Sequence, residues 1–115
     1  MTRPRRSGDQ MELLQGTLDM IVLRTLRWGP AHGHAIARFI QDTSQDVILV
    51  EHGSLYPALQ RLQQRGWVTS REGVSENNRR ARYYELTEAG RRQLVRERSN
   101  WRRFTEAVAR IMRTA

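Results

Sequence analysis

Residues 53–67, GSLYPALQRLQQRGW, constrain this chain more than any other stretch. Leu55, Leu59 and Leu62 recur at i, i+4 and i+7, which puts them on one stripe of a helix. Ser54 is the expected N-cap, so Pro57 falls at the third helical position, where its missing N–H has no intrahelical acceptor to lose. The opposite face carries Tyr56, Gln60, Arg61, Gln64 and Arg65, all hydrogen-bond donors and none a carboxylate. Gly66 ends the helix, and an extended segment starts at Trp67. A short helix that is apolar on one side and donor-rich without acids on the other suits a DNA major groove.

Charge points the same way. The formal net charge is +8, from 20 basic and 12 acidic residues in a chain of 115, so the first expected partner is an anion. Every basic residue is arginine. Forked guanidinium groups suit phosphate and guanine, whereas a genome rich in arginine codons gives the same count, so position has to decide between them. The absence of cysteine excludes a disulfide framework, a thiolate nucleophile and a cysteine zinc site. Apolar runs such as residues 20–23 are too short to cross a bilayer, and the basic N-terminus lacks the apolar stretch of a secretory signal; a cytoplasmic location is expected. No nucleophile–base pair, phosphate-cradling glycine loop or paired carboxylates stand out, so neither an enzyme nor a cofactor is expected. His32, His34 and His52 lack the companions that would complete a metal set, and capping or loop hydrogen bonds are expected of them instead.

Three regions follow from the pattern. Residues 1–10 form an expected disordered basic arm with Arg3, Arg5 and Arg6, either reaching into a minor groove or serving as a loose tail. Residues 11–86 read as a winged helix-turn-helix. Its first helix, 11–28, has Leu14, Leu18, Ile21, Val22 and Leu26 on its core face and stops at Gly29-Pro30. A second, about 34–43, is expected to bury Ala35, Ile36, Phe39 and Ile40. Residues 46–52 form a short buried strand or an extended connection. Strands at 67–72 and 79–86 flank the polar turn 73–78 and make a basic, aromatic wing. Residues 87–115 read as one helix capped by Thr87. Its Leu94, Trp101, Phe104, Val108 and Ile111 are spaced 7, 3, 4 and 3, an a/d seam, while Arg91, Arg92, Arg96, Arg98, Arg102 and Arg103 crowd the remaining surface. A second copy of the chain is the expected partner for that seam; folding back onto its own core is the alternative. The expected fold class is mainly α with a small β-hairpin wing.

The sequence also resembles the PadR family of bacterial transcriptional regulators. The residues that carry the likeness are Gly16-Thr17-Leu18-Asp19, Gly29-Pro30-Ala31-His32-Gly33-His34, Gly53-Ser54-Leu55-Tyr56-Pro57-Ala58-Leu59 with Leu62 and Gly66, and Arg82-Tyr83-Tyr84-Glu85-Leu86-Thr87-Glu88-Ala89-Gly90. They span roughly residues 13–112 in the family's order. His34 departs from the tyrosine usual there. The resemblance implies a winged helix-turn-helix that dimerises through its C-terminal helix with help from helix one. It further implies repression of a nearby operon, relieved in some members by a small phenolic or drug-like ligand; the single C-terminal helix is similar to the family's short form.

Within a DNA reader, Tyr56 and Gln60 are the expected contacts to base edges and Arg61 to guanine or phosphate. Ser54 and the first helical N–H groups would hold a phosphate, Pro57 would stiffen that turn, and Arg79, Arg80 and Arg82 would meet backbone or minor groove. Trp101, with Phe104, could form an apolar slot for a small aromatic effector across a dimer seam, or simply pack there. Two other readings fit the charge: an interaction adaptor on a winged-helix scaffold, and a nonspecific nucleic-acid binder.

Overall fold

In the computed structural model, the described residues, 15–114, form four helices, a 3-10 turn and a three-stranded antiparallel sheet. The arm at 1–10 and Leu14 lie outside them. Helix α1, Gln15–Thr25, runs into the 3-10 turn Leu26–Trp28 and buries Leu18, Val22, Leu23 and Leu26. Gly29 adopts a φ of 140°, open to a residue without a Cβ, and turns the chain into β1, Ala31–His32. Helix α2, Gly33–Thr43, buries Ile36 and Ile40. Phe39, expected in the core, is exposed instead. The inward stripe is centred on Gly33, Ile36 and Ile40, and Phe39 falls on the flank beyond it.

Residues 46–51 take the extended-connection alternative rather than a strand, with Val50 buried. Helix α3, His52–Gln64, starts earlier than its sequence suggests. The N–H groups of Ser54 and Leu55 both donate to the Glu51 carbonyl, at 2.9 Å each, so Glu51 is the N-cap and Ser54 lies inside the first turn. Pro57 is therefore well inside the helix, where it removes the bond its N–H would have made to the Gly53 carbonyl. The helix survives because Leu55, Ala58, Leu59 and Leu62 are buried along its inner face, and burial of side chains this size contributes about 1.5–3 kcal/mol each. Gly66, at φ 77°, ends it.

Strands β2, Val68–Val74, and β3, Arg80–Leu86, pair in the register Val68↔Leu86 to Val74↔Arg80. On the other edge of β3, Ala31 and His32 pair with Tyr84 and Tyr83, giving the order β1-β3-β2. Gly73, expected in the turn, sits inside β2, where a Cβ would press on the Tyr83 ring. Helix α4, Glu88–Arg113, leaves the sheet directly. The Thr87 hydroxyl accepts from the Gly90 N–H at 3.0 Å and donates to the Gly66 carbonyl at 2.7 Å, so one side chain caps α4 and ties it to the end of α3. Leu94 then joins the single core formed by α1, α2, α3 and the inner faces of β2 and β3.

Candidate nucleic-acid interface

Helix α3 presents Tyr56, Gln60 and Gln64 outward, as expected. Tyr56 is 44% exposed, with one side of its ring against the start of α2: a Cβ on Gly33 would lie 2.7 Å from its hydroxyl oxygen. The His52 ring meets it edge-on at 5.6 Å. Two helices thus hold the tyrosine at one orientation while leaving its outer side free.

Two residues of this helix have partners within the chain. Arg61 does not stand free on the outer face. Its Nε and Nη2 donate to Asp19 Oδ2 and Oδ1 at 2.9 and 2.6 Å, joining α3 to α1. These hydrogen bonds raise the guanidinium pKa above its ordinary value; they use Nε and one Nη2 hydrogen of five N–H donors, on a side chain that is 26% exposed. Ser54 is not the cap, and its N–H is already bonded to Glu51.

The wing arginines differ among themselves. Arg80 and Arg82 reach Glu72 at 3.7 and 3.5 Å, and Arg82 also donates to Ser70 Oγ at 3.1 Å. Arg71, which the sequence did not single out, lies 4.0 Å from Glu85 and over the Tyr83 ring. Arg79, at the loop end of the wing, has no ion pair among the described residues. His32 works as a cap: its Nδ1 accepts from the Ala35 N–H at 3.1 Å, and its Nε2 faces Glu76 at 3.5 Å. A backbone hydrogen bond within Glu76, followed by the His32 hydrogen bond, lowers that carboxyl's pKa. Among the described residues no group of three or more His, Asp or Glu could hold a metal ion.

The C-terminal helix divides. Leu94, expected on the dimer seam, is 7% exposed and belongs to the chain's own core, so it is removed from that seam. Trp101, Phe104 and Ile111 are 41%, 59% and 67% exposed, and Val108 is exposed with them. The Trp101 and Phe104 rings lie 5.7 Å apart. They form one wall of a groove of about 480 Å³ between α1 and α4. Gly16, Thr17, Asp19, Met20 and Leu23 of α1 also line it, as do Leu62 and Arg65 of α3 and Trp67. Sequence reasoning missed the pairing of Asp19 with Arg61. The available signal was a lone carboxylate beside Leu18 on the apolar face of α1, which requires a cation from another element.

These elements define a winged helix-turn-helix protein with an added C-terminal helix. Residues 22–96 match the transcriptional regulator PadR-like family. The chain belongs to that family, whose members are transcriptional regulators rather than enzymes. A PadR family transcriptional regulator from Eggerthella lenta is 31% identical, with 88% of this chain and 86% of that one covered and a TM-score of 0.73. A transcriptional regulator from Clostridium thermocellum is 25% identical, with 84% and 93% covered and a TM-score of 0.74. An uncharacterized protein of Lysinibacillus sphaericus is 23% identical over 88% of this chain and 93% of its own length. Among the described residues no helix is long and apolar enough to cross a membrane.

Proposed function

We propose that this regulator is a cytoplasmic, sequence-specific repressor that binds an inverted-repeat operator in double-stranded DNA as a homodimer. The observation that carries the reading is the outer face of α3: Tyr56 and Gln60 stand exposed on a helix whose inner face, Leu55, Ala58, Leu59 and Leu62, is buried in the core. Tyr56 and Gln60 meet base edges; Arg79, Arg80 and Arg82 meet the phosphate backbone, Arg79 most directly because no carboxylate among the described residues pairs with it. Pro57 stiffens the exposed turn between Ser54 and Gln60, which lie along the DNA. In this reading residues 11–86 are the DNA-binding domain and 87–115 the dimerisation helix.

The exposed Trp101, Phe104, Val108 and Ile111 support the homodimer, since an apolar stripe on a helix this long gains by burial against a second copy. Two α3 helices on one dimer face would read half-sites about 34 Å apart. The groove beside Trp101 and Phe104, which Glu97 and Asn100 also line, supports relief by a small aromatic effector as a second part of this reading, the alternative being simple packing of the two rings in the seam.

Fluorescence anisotropy at about 150 mM salt tests the function, comparing DNA from upstream of the protein's own gene with scrambled DNA of equal length. A preference of at least ~1000-fold is expected of a specific regulator. Equal, weak binding to both would favour an adaptor whose basic helix serves another partner.

A further inference from the structure

Asp19 is a carboxylate on the apolar side of α1, with Leu18, Val22 and Leu23 around it in the core, and it is 6% exposed. Replacing a buried ion pair by apolar residues of similar volume is often neutral or stabilising, so burial alone gives such a pair no reason to exist. Its geometry gives one. A single hydrogen bond lets a guanidinium swivel, whereas two parallel bonds between planar groups fix distance and roll together. Both oxygens of Asp19 are used in this way on Arg61, at 2.6 and 2.9 Å. Arg61 follows Gln60 directly and lies just over one turn beyond Tyr56, so the roll of α3 that Asp19 fixes is the roll that aims both outward side chains. Asp19 also lines the α1–α4 groove together with Leu62 and Arg65 of α3.

We propose that Asp19 is a positioning residue for operator reading: its two-point hold on Arg61 sets the roll of α3 and relays the state of the α1–α4 groove to Tyr56 and Gln60. The inference rests on the DNA-reading function above and assigns to that function a residue with no access to DNA.

The test compares the intact protein with Asp19→Asn, which keeps the side chain's shape and removes its charge. A duplex selected by the wild type from a randomised pool serves as operator, and a scrambled duplex of the same length as reference. The readout is the ratio of the two affinities. Any loss of folded protein weakens both bindings equally and cancels from that ratio, so a merely structural role would leave it unchanged. The proposal expects at least a tenfold fall in the ratio, with scrambled DNA bound as well as before or slightly better, because Arg61 is released. Incorporated 5-fluorotryptophan gives the second readout by fluorine NMR. Trp101, in the groove wall, should shift when the wild type binds operator and shift less in Asp19→Asn, while Trp28, on the exposed 3-10 turn, stays still. An unchanged ratio in Asp19→Asn would overturn the proposal, as would full recovery of the ratio in the apolar double variant Asp19→Leu/Arg61→Met, which fills the same space without the fork. Failure of the wild type to enrich any sequence would instead remove the DNA-reading function and the proposal with it.

Discussion

The two ends of α4 carry the same kind of residue at the same spacing and meet opposite fates. Near its start, Gly90 and Leu94 are buried, with Gly90 against the Trp67 carbonyl. From Trp101 onward the stripe continues through Phe104, Val108 and Ile111, and none of these is buried within the chain. Hydrophobic periodicity identifies which face of a helix avoids water; what covers that face depends on how far the rest of the chain reaches. Here the core reaches only the first two turns.

Substitutions on either side of that boundary should differ sharply. Leu62→Ala, in the α3 core, should lower stability by about 4 kcal/mol, whereas Ile111→Ala at high dilution should change it by no more than about 0.5 kcal/mol. Urea denaturation of both measures the contrast, and equal losses would erase the distinction between the two ends. Gly90→Ala should cost about 3 kcal/mol, because its Cβ would run into the Trp67 carbonyl oxygen, which is backbone and cannot swing away. The thermal midpoint reports it. Phe104→Glu should leave the circular dichroism of the folded chain unchanged while weakening self-association by about 2 kcal/mol in sedimentation equilibrium. A stable dimer in that variant would mean that the distal stripe is not the seam. The smallest effects belong to the wing, where Arg79→Ala and Arg82→Ala should each alter stability by less than about 1 kcal/mol. They should separate in DNA binding: Arg79→Ala lowers the salt slope by about 0.9, and Arg82, already shared with Glu72, lowers it less.

The sequence revealed those parts of the fold that repeat. The leucines of α3, the Thr87 cap and the two long strands follow from spacing and local chemistry, and the structure has them with boundaries shifted by a few residues. Strand β1 was invisible because two residues carry no period. The start of α3 was misjudged because Ser54 is a better cap by type than Glu51, yet the Ser54 and Leu55 N–H groups both bond to the Glu51 carbonyl, so the helix begins before Ser54. The Arg61 ion pair was missed for a related reason: a helical wheel places an arginine on a face without knowing that a carboxylate 42 positions earlier is waiting there. Leu94 shares its seam with Trp101, and only the three-dimensional extent of the core separates them.

One imidazole gives the wing an unexpected dependence. His32 accepts the Ala35 N–H with Nδ1, so its ring proton sits on Nε2, directed at Glu76 in the wing loop. The first turn of α2 and the far end of the hairpin are therefore gauged against each other through a single planar ring. A residue inserted between Val74 and Arg80 would carry Glu76 out of range, and a ring that turned to follow it would leave the Ala35 amide without its acceptor. Surface loops ordinarily drift in length at little cost, but this one is tethered. A change in the length of this hairpin loop is therefore felt at the head of α2.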